Sequence, residues 1–85
     1  MPTVFREKGY RFYFWSNERN EPPHVHVQQA ERYAKFWLSP VRLQRNSKFR
    51  QNELTKLHQI IEEHGQQLLE SWHEHFTSQA GTDRG

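Results

Sequence analysis

Hydrophobic and polar residues alternate with a period of two along the first half of the chain, which is typical of β-strands. The pattern predicts strands over residues 3–7, 10–16, 24–28, 33–39 and 41–44. A turn is expected at Lys8-Gly9, because glycine readily adopts the positive φ that tight hairpins need. In the last strand Val41 and Leu43 are expected to point inward.

The second half of the chain changes to a helical pattern, with apolar residues at steps of three and four from Leu54 to Phe76. Asn52 is a candidate N-cap. Gly65 leaves two possibilities open, either two helices or one helix that tolerates the glycine. We therefore predict an α+β fold, with an antiparallel sheet of three to five strands followed by a C-terminal helical segment packed on one face. It forms one domain over residues 1–76, and residues 77–85 form a flexible tail.

The stretch Glu-Pro-Pro-His-Val-His-Val, residues 21–27, places two histidines two positions apart in a predicted strand. Their side chains therefore point to one face of the sheet, and Val25 and Val27 point to the other. If the helical segment covers the valine face, the histidine face lies away from it. That face combines imidazoles, cations and large rings, from Arg11, Tyr13, Trp15, His24, His26, Lys35 and Trp37.

Length and composition narrow the possible classes of protein. A chain of 85 residues is enough for one domain with a marginal core, so a second copy or a partner chain could help to bury surface. The chain has no cysteine, no apolar run of membrane-spanning length and no signal-peptide pattern at its N-terminus, so we expect a cytoplasmic protein.

Charge is distributed unevenly along the chain. Residues 1–50 hold ten Lys or Arg and four Glu, a net charge of +6, whereas residues 51–85 hold two basic and six acidic residues, a net charge of −4. The basic half is consistent with a surface that attracts phosphates. The alternative is that the two halves partly neutralise each other across the fold.

Five segments carry a resemblance to a known family: Phe-Tyr-Phe-Trp-Ser at 12–16, Pro-Pro-His-Val-His-Val at 22–27, Ala-Lys-Phe-Trp-Leu-Ser-Pro-Val at 34–41, Asn-Glu-Leu at 52–54 and Leu-Leu-Glu-Ser-Trp-His-Glu-His-Phe at 68–76. Together they resemble a small bacterial family of domains of unknown function, number 4160. The resemblance implies little about activity. Genes of this kind look like one half of small two-gene units, some of them toxin–antitoxin-like, so a cognate small protein partner is expected.

Three kinds of chemistry are open to the histidine pair and its neighbours. His24 and His26 have a spacing common in metal sites, but zinc needs three or four ligands, and His73 cannot easily reach the histidine face. The same pair could instead act as acid and base on a phosphodiester, giving a metal-independent ribonuclease in which a cation such as Lys35 stabilises negative charge.

The third kind is binding without a reaction. Rings interleaved with cations can stack on bases and contact phosphates, or can form a protein interface, including a homodimer. The residues expected to carry it are Arg11, Tyr13, Trp15, Lys35, Trp37 and Arg42. A purely structural role for the two histidines also stays open. We expect binding, to a protein or a nucleic acid, as the function, and whether the protein is an enzyme is undecided by sequence.

Overall fold

The computed structural model describes the backbone of residues 3–14 and 21–84 and the side chains of residues 4–14 and 21–75. Five antiparallel strands pair in sequence order into one sheet: β1 (Thr3–Glu7), β2 (Tyr10–Tyr13), β3 (His24–Gln29), β4 (Arg32–Leu38) and β5 (Val41–Ser47). Two helices follow, α1 (Gln51–Glu63) and α2 (Gly65–Arg84). The expected α+β fold is therefore confirmed.

Short turns with unusual backbone angles join β1 to β2 and β3 to β4. Lys8 and Gly9 between β1 and β2 have φ of 54° and 84°, the positive values that a type I′ turn requires at both central residues. Ala30, in the connection between β3 and β4, also has positive φ, at 55°. Turns of this hand match the twist of the strands, so consecutive strands pair directly.

The hydrophobic core lies between the valine face of the sheet and the two helices. Val25 and Val27 are both completely buried. The other core side chains of the sheet are Tyr10, Phe12, Ala34, Phe36 and Leu38, and those of the helices are Leu54, Leu57, Ile60, Ile61, Leu68 and Trp72. Leu43 pairs with Phe36 and shares this face as expected, but 43% of it is exposed, because β5 is the edge strand.

The helical segment is two helices, which settles the alternatives that Gly65 left open. His64 lies between them, and its N–H still donates to the Ile60 carbonyl at 3.1 Å. Its ring nitrogen Nε2 lies 3.1 Å from a carboxylate oxygen of Glu7, and its ring packs on Phe5 with centroids 4.9 Å apart. The break between the helices is therefore held against β1.

Helix α1 begins earlier than expected. Its N-cap is Arg50 and not Asn52, and Asn52 lies within the first turn. The Glu53 carboxylate accepts a hydrogen bond from the Arg50 N–H at 3.2 Å and pairs with the Arg32 guanidinium at 3.3 Å. Glu53 thus satisfies an N–H at the helix start and also ties α1 to β4.

The structure does not test two of the sequence predictions. Helix α2 runs to Arg84, and the flexibility of residues 77–85 stays a prediction, as does the domain boundary at residue 76. Trp15 lies outside the described residues. No helix within the described part of the chain is long and apolar enough to cross a membrane.

Candidate functional site

The strand register brings most of the expected site residues onto one face of the sheet. Tyr13 pairs with His26, His26 with Lys35, and Lys35 with Arg45, so these four side chains form one row across the strands. A second row runs from His24 through Trp37 to Arg42. We call this surface the histidine face, and its described members are Arg6, Arg11, Tyr13, His24, His26, Gln28, Tyr33, Lys35, Trp37, Arg42, Arg45 and Ser47.

His24, the first residue of β3, is completely buried. Its Nδ1 lies 2.8 Å from the Pro22 carbonyl oxygen, which only accepts, so Nδ1 carries a proton. The ring also packs against Trp37 and, with centroids 4.8 Å apart, against Trp72 of α2. The expectation that the helical segment stays clear of the histidine face is therefore wrong at this end of the sheet.

His26 is also buried, with 2% of its surface exposed. Its ring is stacked between two tyrosine rings, with centroid distances of 5.3 Å to Tyr13 and 5.8 Å to Tyr33. Its Nδ1 forms a hydrogen bond of 2.7 Å with the Tyr33 hydroxyl. The two imidazoles touch edge to face, with centroids 5.1 Å apart. The pair is thus packed into the sheet surface and does not project from it.

Cations surround the buried rings. The Lys35 ammonium lies 2.8 Å from Glu21 Oε1 and 5.1 Å from the centroid of the Trp37 ring. The Arg11 guanidinium lies 4.7 Å from the centroid of Tyr13, within the range of a cation–π contact. Arg42, an expected binding residue, is exposed beside Trp37 on the edge strand.

A cavity of about 470 Å³ opens on the histidine face beside His26. Its lining residues are Glu21, His26, Tyr33, Lys35, Trp37, Gln44 and Arg45. Three of the seven, His26, Lys35 and Trp37, were expected site residues. The expected residues Arg11, Tyr13, His24 and Arg42 lie on the same face but do not line it.

Sequence reasoning did not select Tyr33, Glu21 or Gln44 as site residues. A signal for Tyr33 was present, because it has the same parity along β4 as Lys35 and Trp37. The positions of Gln44 and Arg45 at the cavity depend on a register shift in the pairing of β5 with β4, between Lys35 and Phe36. No sequence pattern indicates this shift. The position of Glu21 at the cavity depends on the path of the chain through Pro22 and Pro23.

The arrangement limits the chemistry open to the pair. In His24, Nδ1 is occupied by the Pro22 carbonyl, so only Nε2 is chemically suited to bind a metal or to accept a proton. Within the described residues, no group of three or more His, Asp or Glu side chains is placed to hold a metal ion. Zinc ligation by His24 and His26 therefore stays a prediction, and so does their catalytic role.

Comparison with known proteins adds one match. The model of the family described as "Domain of unknown function (DUF4160)" matches residues 9–73, which is 65 of the 85 residues. No curated protein and no solved structure matches the chain significantly. The matched range contains β2 to β5, α1 and the first half of α2, and with them every lining residue of the cavity. Because the match covers well over half of its length, the chain belongs to the DUF4160 family of domains of unknown function.

Proposed function

We propose that this protein binds single-stranded RNA through the histidine face, as the binding component of a toxin–antitoxin-like two-gene unit. The observation that carries the proposal is the strand register, which aligns cationic side chains with aromatic rings on one face of an antiparallel sheet. Sheets of this kind bind RNA by stacking bases on rings while cations contact the phosphates.

The charge of the face supports an anionic ligand. Arg6, Arg42 and Arg45 lie on it, and the ion pairs formed among the described residues do not involve any of the three. Neighbouring strands lie about 4.8 Å apart, so the face is roughly 19 Å wide across five strands. That width accommodates contacts to several successive phosphates.

The burial of the two imidazoles favours binding over RNA cleavage. A general acid or base must come within hydrogen-bond reach of the proton that it transfers. His24 is 0% exposed and His26 is 2% exposed, whereas Trp37 is half-buried and Arg42 and Arg45 are exposed. The groups best placed to touch a polymer are therefore rings and cations.

The salt dependence of RNA affinity tests the proposal. Each phosphate contact to a single strand contributes about −0.7 to the slope of log Kobs against log salt concentration. Anisotropy titrations with a labelled ten-nucleotide RNA should give a negative slope no steeper than about −2 if three cations are engaged. The double variant Arg42→Gln/Arg45→Gln should reduce the steepness of that slope by about 1.4.

The matched control is Arg32→Gln, which removes a positive charge from the same sheet. Arg32 has the parity of Ala34 and Phe36 and therefore lies on the valine face, where it pairs with Glu53. Arg32→Gln should leave the slope unchanged. A loss of slope in the control that is half or more of the loss in the double variant, or no RNA binding at low salt, would refute RNA binding through the histidine face.

The role in a two-gene unit has a separate test. A tagged copy of this protein should co-purify with the product of the adjacent small gene when the two are expressed together. Recovery of the tagged protein alone, with both products present in the cell extract, would count against a cognate partner and would leave the RNA-binding proposal intact.

A further inference from the structure

We infer that the cavity on the histidine face is a base-selective pocket that holds a guanine, with Glu21 as the specificity-determining residue. The inference rests on the proposed binding of single-stranded RNA and names the nucleotide that the site selects. Three features of the cavity support it: its size and aromatic lining, the carboxylate among its lining residues, and the donors contributed by β5.

The cavity has the dimensions and the wall that a single base requires. Its volume of about 470 Å³ lies within the range of about 300–1,000 Å³ that small-molecule sites occupy. The Trp37 indole lines it, and an aromatic ring is the usual stacking partner of an unpaired base. The Lys35 ammonium lies over that indole, 5.1 Å from its centre, so the cavity wall also carries positive charge.

Glu21 supplies acceptors at the cavity. Among the described residues its contacts are with Lys35 at 2.8 Å and His24 at 3.8 Å, and both involve Oε1. An ionised carboxylate has about four acceptor positions on its two oxygens, so acceptor capacity remains on both. The side chains that contact Oε1 also hold the carboxylate in place, since Lys35 is only 12% exposed and His24 is buried.

Guanine is the base whose hydrogen-bond pattern suits this carboxylate. Its Watson–Crick edge presents two adjacent donors, N1–H and the N2 amino group, which match two carboxylate oxygens. Adenine and cytosine present an amino group beside an acceptor nitrogen, and uracil presents one N–H between two carbonyl oxygens. Each of these would place an acceptor against the carboxylate and lose one hydrogen bond.

Strand β5 completes the pocket with donors. Gln44 and Arg45 also line the cavity, and neither takes part in the hydrogen bonds or ion pairs between described side chains. A guanidinium offers a planar fork of five donors that matches phosphate oxygens. Arg45 therefore provides a contact for the phosphate next to the bound base. A free base has no phosphate and would not make this contact.

Four heptamer RNAs test the inference: oligouridine and three versions that carry one central guanosine, adenosine or cytidine. Wild-type protein should bind the guanosine heptamer about tenfold more tightly than the other three, which lies within the discrimination expected of a bidentate base contact. Guanosine monophosphate should also displace a heptamer from the wild-type protein at lower concentration than adenosine monophosphate does. This measurement shows the guanine preference without any mutation.

Two variants assign the preference to Glu21. Glu21→Gln, a substitution in a side chain that is 42% exposed, should reduce the guanosine preference to less than about threefold. Arg42→Gln, on the same face but outside the cavity, should weaken all four heptamers equally and keep the preference.

The outcomes separate this inference from the proposal on which it rests. Equal affinity for the four heptamers, with a steep salt dependence, would overturn the guanine pocket and leave RNA binding intact. A guanosine preference that survives Glu21→Gln would also overturn the assignment. The absence of binding by any heptamer or mononucleotide would overturn both.

Discussion

The hydrogen bond between His26 and Tyr33 can be measured by a double-mutant cycle with Tyr33→Phe, His26→Phe and the double variant. The bond is 2.7 Å long, and its imidazole is 2% exposed. Tyr33→Phe removes the partner of a buried ring nitrogen, which costs about 1–3 kcal/mol in general. Tyr33 is half-buried, so water can reach its side of the bond and we expect the lower end, about 1 kcal/mol.

The coupling free energy between the two sites is the quantity to determine. It should be about 1 kcal/mol in urea denaturation at constant pH, with similar m-values for all four proteins. For 85 residues the entropy of unfolding is roughly 0.18 kcal/mol per kelvin, so Tyr33→Phe alone should lower Tm by about 5–6 °C.

A second cycle provides the control. Tyr33→Phe combined with His64→Phe should be additive within about 0.5 kcal/mol, because His64 contacts β1 and lies away from Tyr33. If the His26–Tyr33 coupling is no larger than that of the control pair, the hydrogen bond does not stabilise the native state. The view that His26 is held as part of the sheet surface would then fail.

Three further predictions concern stability. Gly9→Ala should cost about 1 kcal/mol in urea denaturation, because φ at this position is 84° and alanine disfavours that region. Ile61→Val, at a completely buried position, should cost about 1 kcal/mol through one lost methyl group, and a cost near zero would contradict close packing beneath α1. Burial, reinforced by the charge of Glu53 and opposed by that of Arg32, raises the pKa of Tyr10. The unfolded chain therefore loses this proton first, so stability should fall as pH rises above about 10, and Tyr10→Phe should make that fall shallower.

The faces of the strands were predictable because alternation along a strand is a strict geometric rule. Once residues 24–27 are a strand, His24 and His26 must share a face and Val25 and Val27 must share the other, whatever the rest of the chain does. The pairing of His26 with Lys35 then follows from a short hairpin between β3 and β4. The alternation of side chains along a strand and the length of a hairpin are local properties, so they can be predicted from the sequence of neighbouring residues.

The burial of the site was not predictable, because it depends on contacts between distant parts of the chain. His24 is covered partly by Trp72, which lies 48 residues further along, and only the direction of α2 after Gly65 brings them together. Helical spacing places Trp72 on the apolar stripe of the helix. It does not predict which strands of the sheet that end of the stripe contacts. The extent of β5 was missed for another reason: its residues from Arg42 to Ser47 are exposed and show no apolar alternation.

The separation of charge along the chain becomes a separation between the two layers of the fold. Glu62, Glu63, Glu70 and Glu74 are exposed on the helices, whereas Arg42 and Arg45 are exposed on the sheet. The two layers lie on the order of 10 Å apart, close to one Debye length at physiological ionic strength. An RNA at the histidine face would therefore be attracted by the nearby cations, while repulsion from the helical carboxylates would be largely screened. At low salt the screening weakens and the carboxylates oppose binding more strongly, so the affinity should rise less steeply on dilution than the cations alone would produce.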